Sequence, residues 1–256
     1  MTQVFTPETW LTLYCLPHAG GSARPYGGLG TAVPPGVRVV PLELPGHGTR
    51  LREPLLRDIG QVVTEVIRLM GEYQGRPFAL FGHSFGALVA YETTRRLRQL
   101  STPPELLLVS GRNTPVWPLS HEPIHTLPDP LFTAGLRRMG GIPQALLAHP
   151  SVLQVYLPSL RADLGMVETY AHTHSEPLDV PIAAFAGLRD RLTDPAGMEA
   201  WAELTERHFE LTLLRKGHFF LDEPEFRAAL ADRLGRLGPP AVLAPTESGS
   251  TAGPRH

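Results

Sequence analysis

The stretch Phe78-Ala79-Leu80-Phe81-Gly82-His83-Ser84-Phe85-Gly86-Ala87 joins a strand-like run, a tight turn and the start of a helix. Phe78 to Phe81 predicts a short buried strand, and Phe85 to Leu100 predicts a helix that is apolar first and basic at its end. The turn between them has the form G-x-S-x-G. Such a turn forces the serine into strained backbone angles and requires small residues two positions away on either side. Ser84 is therefore the candidate nucleophile, lifted above a sheet at a helix N-terminus.

The G-x-S-x-G pattern alone is modest support, since it arises by chance in about one chain in ten of this length. The alternative is a Gly-rich turn in which Ser84 acts only as a helix N-cap. The strand before Ser84 and the helix after it favour the nucleophile.

Short apolar runs alternate with longer amphipathic stretches along the chain, which predicts an α/β fold with a mostly parallel central sheet and helices on both faces. Further strands are predicted at Leu11–Leu16, Val37–Leu42, Leu106–Val109, Pro181–Gly187 and Phe209–Leu214. Pro41 leaves the end of the second of these strands open. Further helices are predicted at Ile59–Tyr73, Gly197–Arg207 and Glu223–Leu237.

Residues 112–175 interrupt this alternation. They contain several prolines and helix-like pieces at Asp129–Met139 and Ser151–Leu164. Such an insertion between core strands is typical of a lid, with an ordinary helical crossover as the alternative. We expect one domain over residues 1–237 and a disordered tail over residues 238–256, which is too poor in large apolar residues to fold.

A serine hydroxyl needs a base, and where the serine lies on a strand–turn–helix of this kind the chain order is serine, acid, histidine. His218 follows the last predicted strand and precedes the last helix, and Gly217 gives its loop the freedom to reach Ser84. The other histidines fit less well: His121, His125 and His149 fall in the insertion, and His172 and His174 are expected in a solvated loop.

The acid that orients the histidine should follow a core strand between Ser84 and His218. Asp190 comes three residues after the strand that ends at Gly187. Asp194 is the competitor, but it precedes Pro195 at a predicted helix start and is better explained as an N-cap. Asp190 is therefore the candidate acid.

Attack on a carbonyl creates an oxyanion that needs two N–H donors. One is expected from the backbone of Phe85, the residue after the nucleophile. The second is expected from the loop Pro17-His18-Ala19-Gly20-Gly21 after the first strand, and Ala19 is the candidate there. The alternative for these glycines is a simple turn.

Bulk properties exclude several classes of protein. The net charge of −2 gives no basis for attracting nucleic acid. No apolar run approaches the roughly 18–20 residues that span a membrane, and the N-terminus has no secretion-signal pattern. Cys15 is the single cysteine, which rules out an intramolecular disulfide and fits a reducing cytoplasm. We expect a soluble, cytoplasmic protein.

Several segments together resemble the type II thioesterases that accompany polyketide and non-ribosomal peptide synthases, over roughly Leu11 to Leu234. The matching segments are Leu16–Ser22, Gly82–Ala87, Ser110–Arg112, Leu160–Asp163, Gly187–Asp190, Trp201 and Gly217–Leu221. Combined, they are far more specific than G-x-S-x-G.

The resemblance implies an α/β-hydrolase fold with a helical lid that hydrolyses acyl-phosphopantetheine thioesters in an editing role. Its triad falls on Ser84, Asp190 and His218. No metal or organic cofactor is expected, since phosphopantetheine belongs to the substrate. The implied partners are acyl or peptidyl carrier proteins, and we expect a monomer. Because carrier proteins are generally acidic, basic docking patches are candidates at Arg95, Arg96 and Arg98, or at Arg137 and Arg138, with solvated helix faces as the alternative.

Two positions depart from the family pattern. His47, in Pro45-Gly46-His47-Gly48, stands where the family often has Arg, so its role is left open. Phe85 stands where Met or Leu is frequent, and its ring is expected to narrow the acyl pocket. The rival functions are a carboxylesterase or lipase acting on small oxygen esters, a cyclising thioesterase, and a binding module without activity.

Overall fold

The computed structural model describes residues 9–71, 76–142, 146 and 148–239, and its centre is a six-stranded sheet. The strands are β1 (Leu11–Leu16), β2 (Val37–Pro41), β3 (Phe78–His83), β4 (Leu106–Ser110), β5 (Ile182–Gly187) and β6 (Phe209–Leu214). They pair in the order β2-β1-β3-β4-β5-β6, and all five strand pairings are parallel. The predicted parallel α/β sheet is confirmed.

Helices follow most strands, as crossover connections between parallel strands require. They are α1 (Ile59–Met70), α2 (Phe85–Gln99), α3 (Asp129–Met139), α4 (Pro150–Glu168), α5 (Pro195–Glu199) and α6 (Pro224–Gly235). Shorter 3₁₀ segments lie at Arg24–Thr31, Gly48–Arg50 and Ala200–Leu204.

Alternate residues of each central strand enter opposite hydrophobic layers. In β1, Leu13 and Cys15 face the layer that contains residues of α6, whereas Tyr14 and Leu16 face the layer that contains residues of α1 and α2. This is the period-two alternation of a strand that is buried on both sides. Helices therefore cover both faces of the sheet. A functional site is expected at the edge where the parallel strands end.

Several predicted helices have different bounds in the structure. The helix expected over Ile59–Tyr73 ends at Met70, because Gly71 adopts φ +60° and breaks the helical path; Tyr73 lies outside the described residues. The helix expected over Gly197–Arg207 starts earlier, at Pro195, and gives way to a 3₁₀ segment that ends at Leu204.

The segment between β4 and β5 carries α3 and α4, as the sequence predicted. The predicted helix over Asp129–Met139 is confirmed, while the one expected over Ser151–Leu164 extends to Glu168. Both helices bury apolar side chains in a separate hydrophobic cluster, which includes Phe132 and Leu157. The function of this segment as a lid stays a prediction, as do the domain limits. Residues 240–256 of the predicted tail lie outside the described residues.

Within the described residues, none of the helices has the length and apolarity that crossing a bilayer would need.

Substitution of Phe226 by Ala tests the layer beneath α6. Phe226 is fully buried, and its ring lies 5.2–5.7 Å from the rings of Phe81, Phe185 and Phe220. Because the change leaves a cavity among these rings, we expect the free energy of unfolding to fall by about 3–5 kcal/mol in urea titration. Leu213→Ala, at a site that is 43% exposed, is the control and should cost less than about 1 kcal/mol. Equal losses in both variants would contradict this account.

Candidate active site

Ser84 lies at the turn between β3 and α2 and has the backbone angles φ 57° and ψ −115°. Its φ is positive, a conformation that costs a residue with a side chain about 1–3 kcal/mol. The turn is tight on both sides: a Cβ on Gly82 would lie 2.0 Å from the carbonyl oxygen of Gly86, and one on Gly86 would lie 2.2 Å from that of Leu16. The Ser84 N–H donates to the carbonyl of Ser110 at the end of β4 (2.7 Å), which ties the turn to the sheet.

The Ser84 side chain makes no capping hydrogen bond to α2, although the residue occupies the N-cap position. The alternative function of Ser84 as a helix cap is therefore not realised in the structure. Its hydroxyl is left available to another partner.

Asp190 and His218 meet through a hydrogen bond from His218 Nδ1 to Asp190 Oδ2 (2.7 Å). The loops after β5 and β6 bring them together, and the Arg189 N–H donates to the Lys216 carbonyl (2.8 Å) to join these loops. Both side chains are almost fully buried. The second Asp190 oxygen accepts from the Leu192 N–H (2.9 Å). With Nδ1–H directed at the carboxylate, His218 Nε2 keeps a lone pair that can accept a proton.

Asp194, the competing acid, caps α5 as the sequence predicted. Its carboxylate accepts from the N–H groups of Ala196 (2.8 Å) and Gly197 (3.4 Å). The structure thus separates the two aspartates into one that orients a histidine and one that starts a helix.

Ser84 and His218 line the same cavity, which encloses about 750 Å³ including its opening. The insertion between β4 and β5 supplies much of the apolar wall, through Trp117, Leu119, Leu136, Met139, Leu160, Leu164 and Val167.

The Phe85 ring lies elsewhere. It is 1% exposed and belongs to the hydrophobic core rather than to the cavity wall, so the expected narrowing of the pocket by this ring was wrong. The reason is that the first residue of α2 directs its side chain toward the sheet. The Phe85 N–H is the first in α2 and has no intrahelical acceptor, as an oxyanion donor requires.

Ala19 lines the cavity in the loop after β1. The neighbouring N–H groups are engaged: Gly20 donates to Asp163 Oδ2 (2.7 Å), Gly21 donates to the His18 carbonyl (2.8 Å), and His18 donates to the Tyr26 hydroxyl (3.3 Å). Across the described part of the chain, the Ala19 N–H has no such acceptor. The geometry therefore fits the expected donor, whose function stays a prediction together with those of the triad.

Two further histidines surround His218, and sequence reasoning had not singled them out. His83 is fully buried, its ring centre lies 4.8 Å from that of His218, and its Nδ1 is 2.9 Å from the Ser110 hydroxyl. Burial, and to a lesser extent the proximity of other histidines, lowers the pKa of His83 well below its usual value and that of His18 to about 3. Both rings stay neutral at neutral pH. Their positions inside the G-x-S-x-G and His18–Gly21 segments were the only available signal.

Arg112 also lines the cavity. Burial lowers its pKa to about 10, so its guanidinium remains charged at neutral pH. Among the described residues no carboxylate forms an ion pair with it, and its buried Nε has no hydrogen-bonding partner. The cavity thus combines apolar walls with one unpaired cation.

Of the histidines expected to be bystanders, His172 differs from the prediction. It is half-buried, and its Nε2 lies 3.1 Å from the Tyr91 hydroxyl. His174 is exposed, as predicted. His121 and His125 both contact the buried Glu168 carboxylate of α4, at 3.2 and 2.6 Å, so they hold the insertion together.

Comparison with known proteins finds one matching family and several similar proteins. The family described as "thioesterase domain" matches residues 11–237. Linear gramicidin dehydrogenase LgrE of Brevibacillus parabrevis is 38% identical over 220 residues, which cover 84% of each chain. Thioesterase PikA5 of Streptomyces venezuelae is 36% identical over 223 residues, covering 85% of this chain and 78% of PikA5. The solved structure of the type II thioesterase BorB from the borrelidin biosynthetic cluster superposes with a TM-score of 0.81 at 33% identity, covering 90% of this chain and 94% of BorB.

Labelling with a fluorophosphonate tests the nucleophile and its acid. We expect one adduct per chain, located on Ser84 by peptide mass analysis, and none in Ser84→Ala. Asp190→Asn should slow labelling by at least about 10²-fold, because the amide no longer holds His218 in the accepting tautomer. Asp194→Asn is the matched control and should label at the normal rate, since asparagine also caps helices. Slow labelling in the Asp194 variant with a normal rate in the Asp190 variant would contradict the assignment.

Proposed function

This chain belongs to the thioesterase domain family, and its relatives include type II thioesterases of polyketide and non-ribosomal peptide pathways; we propose that it hydrolyses acyl groups from the phosphopantetheine arm of acyl or peptidyl carrier proteins. Removal of stalled or aberrant acyl groups is an editing role. We further propose that it acts in the cytoplasm, where its carrier proteins would be found.

One observation carries the proposal. His218 is oriented by Asp190 at 2.7 Å and lines the cavity that also contains Ser84 on its strained turn. A nucleophile, a base that can accept its proton and an acid that orients the base are the parts that acyl transfer needs.

The first half of the cycle forms an acyl-enzyme. His218 Nε2 accepts the Ser84 proton as the Ser84 oxygen attacks the thioester carbonyl, and the carbonyl electron pair moves onto oxygen. The N–H groups of Ala19 and Phe85 stabilise this oxyanion. Its collapse breaks the carbon–sulfur bond, and the phosphopantetheine sulfur leaves as a thiol with the proton from His218. Asp190 stabilises the transient imidazolium.

The second half of the cycle regenerates the free enzyme. His218 accepts a proton from water, whose oxygen attacks the acyl-Ser84 carbonyl and forms a second oxyanion at the same N–H groups. Collapse releases the free acid, and the Ser84 oxygen recovers its proton from His218. The cycle uses only groups of the chain, the substrate and water. Neutral His18 and His83 add no competing positive charge beside the His218 imidazolium.

The dehydrogenase name of LgrE suggests a different reaction, which the loop after β1 does not support. That loop reads Pro17-His18-Ala19-Gly20-Gly21. Dinucleotide-binding enzymes instead have G-x-G-x-x-G between the first strand and helix, where the glycines admit the pyrophosphate. Hydride transfer is therefore not proposed.

Of the two candidate docking patches, Arg137 and Arg138 fit a carrier protein better. Both are exposed on α3, next to the cavity-lining Leu136 and Met139, and neither side chain forms an ion pair with another described residue. In the other set, Arg95 and Arg98 donate to backbone carbonyls of the segment before β5. Those two arginines are therefore assigned to stability rather than docking.

Intact-mass analysis of acylated carrier proteins tests the function. We expect loss of the acyl mass with the phosphopantetheine arm retained, release of the free acid, and no reaction with Ser84→Ala. A macrocyclic product would identify the cyclising alternative. Rapid hydrolysis of a p-nitrophenyl ester with acyl-carrier protein left intact would overturn the proposal in favour of an esterase.

Charge reversal tests the docking surface. The double variant Arg137→Glu/Arg138→Glu should raise KM for an acylated carrier protein by about tenfold, because two attractive contacts become repulsive. The effect should be confined to carrier substrates, and the KM for a small acyl-pantetheine thioester should not follow it. Arg96→Glu, which reverses a single exposed charge on α2, is the control. If the control variant raised KM by the same factor, the docking surface would lie elsewhere, or the effect would come from net charge alone.

A further inference from the structure

A buried carboxylate from the insertion contacts the loop that offers the Ala19 N–H. Asp163, on α4, is 1% exposed. One of its oxygens, Oδ2, accepts two hydrogen bonds, from the Gly20 N–H (2.7 Å) and from His47 Nε2 (2.9 Å). The three residues come from three separate parts of the chain: the loop after β1, the loop after β2, and α4. None of them takes part in proton transfer in the cycle above.

Both ring nitrogens of His47 face groups that accept. Nε2 faces the Asp163 carboxylate, and Nδ1 lies 3.0 Å from the Pro45 carbonyl oxygen, which has no proton to give. A neutral imidazole has only one N–H and can satisfy only one of these contacts. The pair therefore holds one additional proton, as imidazolium with carboxylate or with that proton shared across the 2.9 Å contact.

The surroundings of His47 favour that proton. Burial opposes a charge on the ring, but the hydrogen bond and negative charge of Asp163, the Pro45 carbonyl and the charge of Glu43 together raise the pKa of His47 above its usual value. His18, the other titratable group that interacts with this ring, stays neutral. Because the folded-state pKa of His47 is raised, the stabilisation is fully present below the ordinary pKa of histidine and is lost as pH rises through the higher folded-state value.

The same helix also contacts the loop by packing. Gly20 has φ +65°, and a Cβ there would lie 2.5 Å from Cγ of Leu160, one turn before Asp163 on α4. The loop is thus held by an apolar contact on one side and a charged hydrogen bond on the other. Both act on the residue next to Ala19, so they determine where the Ala19 N–H points.

We propose that His47 and Asp163 form a protonated clamp that positions the oxyanion loop against the cavity, and that loss of its proton in alkaline solution loosens the loop. Both are positioning residues, since they act through Gly20 on the Ala19 N–H. The inference rests on the proposed function for the identity of the oxyanion loop. In this arrangement the protonated His47 ring supplies a positive charge to the Asp163 carboxylate.

The test compares kcat and KM across pH for a small acyl-pantetheine thioester, after subtraction of spontaneous hydrolysis. In the unmodified enzyme, kcat should fall at alkaline pH with KM nearly constant, because oxyanion stabilisation acts in the transition state. His47→Arg supplies a permanent cation and should abolish this fall. His47→Gln cannot titrate and should give a kcat about tenfold lower with no alkaline fall, as expected for a slightly misplaced donor.

Asp163→Asn should lower kcat by about tenfold or more, with the rate of fluorophosphonate labelling reduced in parallel. His125→Gln is the matched control, since it breaks another histidine–carboxylate contact on α4, that with Glu168, away from the oxyanion loop. It should leave the alkaline fall in place. An alkaline fall that persists in both His47→Arg and His47→Gln would overturn the clamp.

Nitrogen-15 NMR of the unmodified protein provides a measurement that does not depend on any variant folding. At neutral pH both ring nitrogens of His47, assigned by comparison with His47→Gln, should show the shifts of protonated imidazole nitrogen. If the Nδ1 chemical shift were that of an unprotonated ring nitrogen, the clamp would be overturned. Labelling distinguishes the two proposals: if carrier proteins are not deacylated but Ser84 labelling follows the clamp variants, the proposed function fails and the clamp stands.

Discussion

The strained turn at Ser84 is the constraint on which the site depends. It places one hydroxyl at the carboxyl edge of a fully parallel sheet, and it requires that Gly82 and Gly86 have no side chains. Because parallel strands all end at that edge, the loops after β1, β5 and β6 reach the same point. The sheet thus fixes where the loops begin, and the side chains that each loop places near Ser84 decide which chemistry is possible there.

Burial has two opposite effects on the charge of the histidines around this edge of the sheet. His83 is fully buried and His18 is partly buried, and neither ring contacts a carboxylate of another described residue, so desolvation keeps both rings neutral. His218 and His47 are buried against Asp190 and Asp163, respectively, at 2.7 and 2.9 Å. A buried charge is costly unless it is paired, so the carboxylates decide which imidazoles can carry a proton. Four histidines in a small volume therefore divide into two neutral rings and two that interact with an acid.

The insertion between β4 and β5 has two structural functions. Residues of α3 and α4 form much of the apolar cavity wall, and α4 also holds the loop after β1 through Leu160 and Asp163. One helix, α4, thus both lines the cavity and contacts the loop that carries the candidate oxyanion donor Ala19.

The sequence alone determined the features that depend on local order. The turn at Ser84, the cap at Asp194 and the alternation of strands and helices follow from spacing, and the contact of Asp190 with His218 follows from the rule that parallel strands end together. Only the tertiary structure decided that the Phe85 ring enters the core. It likewise revealed that His47 meets Asp163 across 116 positions. Spacing along the chain predicts local features such as turns and helix caps. A contact between residues that are far apart in the sequence forms only when the insertion packs onto the sheet.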